Sequence, residues 1–169
     1  MVMYERILAP IDGSTTSQHA FEVALAIARE DRAELIPLYV VEVPLVAYET
    51  PGGDPKFVYE ALLKEGERLA NEALATMRRA GVCGMPRVVE IDAHGDSIPG
   101  RILEEARAAR CDLVVMGTHG RRGVKRLMLG SVAEHFVRIS CCPVLLVPDT
   151  ALHCRNPDGS RTSNPKTPS

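Results

Sequence analysis

Short apolar runs alternate with helical patterns along most of the chain, and this alternation limits the fold more than any other feature of the sequence. Five runs are short and mostly aliphatic, as single strands are: residues 7–11, 35–43, 87–91, 113–116 and 143–147. The segments between them carry apolar residues at the three- and four-residue spacing of amphipathic helices. Strands that alternate with helices form parallel sheets covered on both faces. The sequence therefore predicts an α/β fold, an open five-stranded parallel sheet with four helices on its two faces.

Helix boundaries follow from residues that suit helix ends. Asp54 followed by Pro55 is typical of a helix start, because the carboxylate can accept amide bonds and proline fits the first turn. Gly81 favours the end of that long helix. The helix over residues 98–110 is predicted to be capped at Asp96 or Ser97. Ser131 with Glu134 has the spacing of a capping box and predicts the start of the last helix.

Length and charge exclude several classes of protein. The chain has 169 residues, enough for one domain with its own core, and its 20 basic and 22 acidic residues give a net charge of −2. Such a balanced charge creates no field that would attract nucleic acid or anionic lipid. No long apolar stretch predicts a membrane span or an export signal. We expect a cytoplasmic protein without nucleic-acid or membrane partners.

The cysteines and the C-terminal segment carry no predicted function. Five cysteines form an odd set without a C-x-x-C pair, so we assign them neither a disulfide framework nor a metal site. Residues 149–169 are almost devoid of apolar side chains, which predicts a disordered tail after a domain spanning residues 1–148. Residues 44–55 are predicted to form a long loop, with a surface excursion favoured over a partial cover of a site.

A glycine-rich segment, GTHGRRGVKRLMLGS at residues 117–131, follows the fourth strand and ends at a helix start. In open α/β sheets, ligands bind beyond the carboxyl ends of strands, where the strand order reverses. Glycines let backbone amides approach phosphate oxygens, and Gly130 and Ser131 are expected to offer the first free amides of the last helix. In the alternative interpretation, Gly117 and Gly120 only turn the chain and Ser131 only caps the helix.

The loop after the first strand, Pro10 to Ser14, is expected to face this segment. Asp12 could accept hydrogen bonds from ribose hydroxyls or hold a divalent cation, although Asp12-Gly13 is also an ordinary strand-to-helix turn. His119 could bond a phosphate or simply be exposed. A basic cluster beside it either attracts phosphate or is solvated surface: Arg121, Arg122, Lys125 and Arg126.

Together these motifs resemble the ATP-binding branch of the universal stress protein family. The resemblance rests on the spacing Gly117-x2-Gly120-x9-Gly130-Ser131, on the strand at residues 143–147 and on ILAPIDGS at residues 7–14, and it spans residues 4–148. It implies a Rossmann-like sheet with strand order 3-2-1-4-5. It also implies bound ATP, with or without Mg²⁺ or Mn²⁺, and a homodimer joined through residues 143–147.

The resemblance also implies which residues hold the nucleotide. Adenosine would be enclosed by Pro10, Asp12 and the backbone at Val40. The ribose and α-phosphate would lie over Met116, Gly117 and Gly120. The outer phosphates would meet Gly130, Ser131 and Val132. His119 is a further candidate contact.

Binding is better supported than catalysis. No Walker lysine or arginine finger can be located, so we assign no catalytic residue, and slow ATP hydrolysis is an alternative to a nucleotide-dependent stress or signalling module. The Ser-Gly-Gly-x-Asp-Ser loop of pyrophosphatase-type relatives is absent after the first strand, as is the G-x-G-x-x-G of dehydrogenases. A ligand-free structural dimer is the third interpretation.

Overall fold

Ten elements follow one another in the computed structural model, which describes residues 3–44, 46–49, 54–91, 97–119 and 129–148. In chain order they are β1 (Arg6–Pro10), α1 (Thr15–Asp31), β2 (Glu34–Val41), α2 (Val46–Glu49), α3 (Pro55–Ala80), β3 (Arg87–Glu90), α4 (Ile98–Ala108), β4 (Leu113–Gly117), α5 (Ser131–Ile139) and β5 (Val144–Val147). Gly120, the basic cluster at residues 121–126 and the predicted tail at residues 149–169 lie outside the described residues.

The five strands form one parallel sheet in the order β3-β2-β1-β4-β5, which confirms the predicted fold class and strand order. Leu8 of β1 pairs with Ile36 on one side and with Val114 on the other. The chain moves outward from β1 through β2 to β3 and then crosses to β4. The strand order therefore reverses between β1 and β4, where ligands bind in folds of this kind.

Two helical layers cover the sheet, because side chains of successive strand residues point to opposite faces. Ile7 and Ala9 belong to the core between the sheet and the α1/α3 layer, whereas Leu8 belongs to the core under α4 and α5. All three are fully buried. Phe136 of α5, also fully buried, packs in the second core. Burying such a side chain contributes about 1.5–3 kcal/mol.

The predicted ends of α3 and the predicted start of α4 are confirmed by their hydrogen bonds, whereas α4 ends at Ala108, two residues before the predicted end. Asp54 accepts from the amide of Lys56 at 2.9 Å, and Gly81 ends α3 in the left-handed region at φ +69°. Ser97, the second of the two candidate caps, accepts from the amide of Gly100 at 3.3 Å.

The segment between β2 and α3 differs from the prediction. β2 ends at Val41, two residues earlier than expected, and residues 46–49 form the short helix α2 where a plain loop was predicted. One turn of helix carries too few residues to show a helical period. The prediction of an uninterrupted loop is therefore wrong for α2, while residues 45 and 50–53 lie outside the described residues.

The cysteines that the structure describes differ in exposure. Cys83 and Cys141 are exposed, whereas Cys111 and Cys142 are partly buried; Cys154 lies outside the described residues. Burial raises the pKa of the Cys111 thiol to about 11, so this thiol is protonated at neutral pH and is a poor nucleophile. No helix within the described ranges is long and apolar enough to cross a membrane.

Candidate functional site

The candidate site lies at the carboxyl ends of β1 and β4, where the strand order reverses. Three of the predicted adenosine-side residues share the sheet face under α4 and α5. Met116 is buried and Val40 partly buried against that core. Pro10, two residues beyond Leu8 on β1, is on the same face by strand alternation and is partly buried. These residues form an apolar edge at the end of the sheet.

The turn from β1 to α1 is closed by its own side chains. Oδ1 of Asp12 accepts hydrogen bonds from the amide and the hydroxyl of Ser14, at 2.9 and 2.6 Å. The Ser14 hydroxyl in turn accepts from the amide of Ser17 at 3.2 Å and so caps α1. Gly13 lies between them at φ +80°, a conformation that favours glycine. Oδ1 of Asp12 therefore stabilises the start of α1.

The two ends of the glycine-rich segment are joined at its base. The amide of Thr118 donates to the carbonyl of Val147 at 3.0 Å, and the amide of Gly130 donates to the carbonyl of Thr118 at 2.7 Å. The expectation that Gly130 offers a free amide is therefore wrong. Among the residues that the structure describes, Ser131 is the first in α5 whose amide has no such bond.

Within the described residues, no side chain caps the start of α5. Gly130 is the N-cap residue, with φ −62° and ψ 147°, and Ser131 is the first helical residue rather than the cap. The predicted capping box is therefore wrong: Glu134 is one position too late to close it and pairs with Arg138 at 2.6 Å. Since glycine has no side chain to accept an amide bond, the first-turn amides and the positive end of the helix dipole stay available to an anion.

Gly117 has a packing role that the sequence did not reveal. A Cβ atom at Gly117 would lie 2.9 Å from the backbone carbonyl carbon of Thr16 and 3.0 Å from its Cβ. The first turn of α1 therefore packs directly against the end of β4. Glycine at this position is explained by that close approach.

His119 is partly buried, so the interpretation as a simply exposed loop histidine is wrong. Its Nδ1 lies 2.9 Å from the hydroxyl of Thr118, and its carbonyl accepts from the hydroxyl of Thr16 at 2.5 Å. Its Nε2 is buried and has no hydrogen-bond partner in the described part of the chain. An unpaired buried nitrogen is costly, so Nε2 is a candidate ligand contact.

Thr16 is a residue of this region that the sequence interpretation missed. The spacing of Thr16 could have indicated that it is buried. It stands four residues before Ala20 and eight before Ala24, on the buried stripe of α1. A polar residue that extends an apolar stripe needs a buried hydrogen-bond partner. Thr16 finds that partner in the carbonyl of His119.

Two further observations on the described residues point to no second site that includes the predicted residues. Among the residues that the structure describes, no three histidine, cysteine, aspartate or glutamate side chains are grouped to hold a metal ion. A small depression lies between α1 and α3, with Ile11, Phe21 and Leu69 in its lining, in the layer opposite to Met116. It includes none of the predicted site residues.

Comparison with known proteins gives the family. The model of the universal stress protein family matches residues 3–148. The chain belongs to the universal stress protein family. A universal stress protein of Methanocaldococcus jannaschii is 35% identical over 149 residues, which cover 86% of this chain and 82% of the relative.

Solved structures agree with this assignment. A universal stress protein family member from Burkholderia pseudomallei is 39% identical with a TM-score of 0.73, covering 88% of this chain and 99% of that one. A universal stress protein in complex with cAMP is 25% identical with a TM-score of 0.58, covering 86% and 97%. An adenine nucleotide is therefore bound by a family member of the same fold.

Proposed function

We propose that this universal stress protein binds ATP at the carboxyl ends of β1 and β4 and acts as a nucleotide-dependent stress or signalling module. The observation that carries the proposal is the uncapped start of α5 at the point of strand-order reversal. We assign no catalytic residue. Slow ATP hydrolysis on the same site is the alternative.

The phosphates would be bound by the backbone at the start of α5. Ser131 and Val132 stand at the first two helical positions, where amides have no partner within the helix. The negative charge of a triphosphate is favoured by the positive end of the helix dipole. Gly130 would contribute by close backbone approach rather than by its amide, which is already bonded. Gly120 and the basic cluster, expected to help, belong to the part of the chain that the structure does not describe.

The adenosine would lie against the apolar edge formed by Pro10, Val40 and Met116, with Gly117 beneath the ribose and Asp12 near its hydroxyls. The cAMP complex of a relative supports the class of ligand, because cAMP and ATP share adenine, ribose and the first phosphate. Mg²⁺ or Mn²⁺ would be held mainly by phosphate oxygens.

A proline substitution tests the phosphate contact without removing the helix. Proline is tolerated at the first helical position, and Gly130 has the extended ψ that a following proline requires. Ser131→Pro should therefore delete one amide, leave the melting temperature nearly unchanged and weaken ATP binding about ten- to a hundredfold, as for a hydrogen bond to a charged group. The measurement is calorimetric titration with ATP alongside thermal melts.

Ser131→Ala is the matched control, because it removes the hydroxyl and keeps the amide. We expect its affinity to stay within about twofold of the parent. A Ser131→Pro protein that binds ATP like the parent would contradict the proposed phosphate site. A parent protein that neither binds added ATP nor releases nucleotide on denaturation would contradict the proposed function.

We also propose a homodimer joined through β5. This strand is at one edge of the sheet, and Leu145 within it is 38% exposed. An apolar edge strand invites pairing with another chain, and a second copy would bury it. Light scattering should give the dimer mass for the parent and the monomer mass for Leu145→Glu. A monomeric parent at high micromolar concentration would contradict the proposal.

A further inference from the structure

Thr16 has a buried hydroxyl that bonds to a residue distant in the sequence. The residue is only 6% exposed and stands in the first turn of α1. Threonine hydroxyls in such positions usually bond to nearby backbone. Here Oγ1 donates to the carbonyl of His119, 103 residues away, at 2.5 Å. The contact joins α1 to the start of the glycine-rich segment.

The same hydroxyl belongs to a chain of polar contacts. Oγ1 of Thr16 lies 3.3 Å from the hydroxyl of Ser14, which donates to Oδ1 of Asp12 at 2.6 Å. Because the hydroxyl hydrogens of Ser14 and Thr16 point to Asp12 and His119, the two hydroxyl oxygens meet in a close contact rather than in a hydrogen bond, between one bond to the Asp12 carboxylate and another to the His119 carbonyl. These contacts connect the two loops that follow the neighbouring strands β1 and β4.

Packing holds the same pair of loops together. The backbone of Thr16 lies so close to Gly117 that a Cβ there would come within 2.9 Å of it. On the other side of His119, the carbonyl of Thr118 accepts from the amide of Gly130. A shift of the His119 carbonyl would therefore be transmitted through Thr118 to the start of α5.

We propose that Thr16 is a positioning residue: its hydroxyl sets the start of the glycine-rich segment relative to α5 and thereby sets the affinity for the phosphates of the nucleotide. This inference rests on the proposed function. Thr16 contacts the backbone that carries the site, and we assign it no contact with the nucleotide. Its effect should appear for ligands with phosphates and not for adenosine.

The test compares Thr16→Val with Thr16→Ser, titrated with ATP and with adenosine. Valine keeps the shape but lacks the hydroxyl, and its methyl group needs more room beside the His119 carbonyl than a hydrogen-bonded oxygen does. We expect Thr16→Val to bind ATP about tenfold more weakly, the effect of losing one buried hydrogen bond. Its affinity for adenosine should change by less than about twofold, and Thr16→Ser should restore ATP affinity to within about twofold of the parent.

Three results would overturn the inference: ATP affinity unchanged in Thr16→Val, equal losses in Thr16→Val and Thr16→Ser, or equal losses for ATP and adenosine. The second would assign the effect to the methyl group, and the third to general damage. Thr16→Ala, which lacks the hydroxyl without crowding the carbonyl, takes the place of valine if the valine variant does not fold. A parent that binds no ATP would overturn the proposed function and this inference together. A parent that binds ATP, with any of the three results above, would overturn this inference alone.

Discussion

Two helices begin at the same edge of the sheet, after neighbouring strands, and their starts are built differently. The start of α1 is closed by the side chain of Ser14, which Asp12 holds in place. The start of α5 has Gly130 in the same position and no side chain to close it. α3 and α4 resemble α1, with Asp54 and Ser97 as their caps. Among the four longer helices that the structure describes, only α5 begins without a cap.

The difference between the two helix starts shows how the absence of a capping side chain can create an anion site. A capping side chain satisfies first-turn amides, and a glycine at the N-cap position costs only a few tenths of a kcal/mol by comparison. That small loss keeps the amides of α5 available to a ligand. The closed start of α1, by contrast, is bonded to the facing loop through the hydroxyl of Thr16.

The largest effect should come from disturbing the contact between the closed start and β4. In Gly117→Ala, the added Cβ would meet the backbone of Thr16 at 2.9 Å, and backbone at that distance must move. We expect a loss of about 1–3 kcal/mol in the free energy of unfolding, typical of overpacking, measured by urea denaturation.

Gly100→Ala is the matched control for this substitution. Among the described residues, a Cβ at Gly100, in α4, would meet only the Ser97 hydroxyl, at 3.4 Å. Alanine in a helix should then stabilise the protein by up to about 1 kcal/mol. Equal losses in the two variants would show that the close approach at Gly117 is not what sets its cost.

A smaller effect is expected from opening α1. Ser14→Ala removes the cap and should lower the free energy of unfolding by about 1 kcal/mol. Ser97→Ala removes the cap of α4 and provides the reference for a cap that makes no contact with Asp12. Thermal melts compare the two variants. If Ser14→Ala lowers stability more than Ser97→Ala does, the difference measures the contacts of Ser14 with Asp12 and Thr16. A difference of zero would show that these contacts add nothing to the cap.

The smallest change in stability should come from closing α5. Gly130 has a φ of −62°, which any residue adopts, so Gly130→Ser can install the cap that α1 has. We expect a gain of a few tenths of a kcal/mol in stability, together with weaker ATP binding, because the hydroxyl would compete for first-turn amides. Thermal melts and calorimetric titration measure the two quantities. A variant that gains stability and keeps its ATP affinity would show that phosphate does not use these amides.

Local patterns were sufficient for the five strands, for both ends of α3 and for the start of α4. The five strands were placed within two residues of their ends, and the caps at Asp54 and Ser97 and the end at Gly81 were anticipated. Strand alternation and capping involve residues within a few positions of one another, so both can be predicted from short stretches of the sequence. The universal stress protein family, too, was identified from motif spacing.

The prediction for the start of α5 failed because more than one residue there can serve as the N-cap. Ser131 with Glu134 satisfies the pattern of a capping box, yet the helix begins one residue earlier in register, with Gly130 as its N-cap. The amide of Gly130 is bonded to Thr118, a contact that closes a loop of a dozen residues and that no local pattern specifies. Which residue becomes the N-cap depends on how the start of α5 is bonded to the end of β4.

By itself, the sequence determined the alternation of strands and helices and the family, because both follow from periodicity, motif spacing and short-range chemistry. Only the tertiary structure decided that Thr16 reaches His119, that Gly117 is a packing contact and that α5 is left open while α1 is closed. The first two features join residues about a hundred positions apart. Their partners become neighbours only when β1 and β4 lie side by side, so no pattern along the chain can carry them.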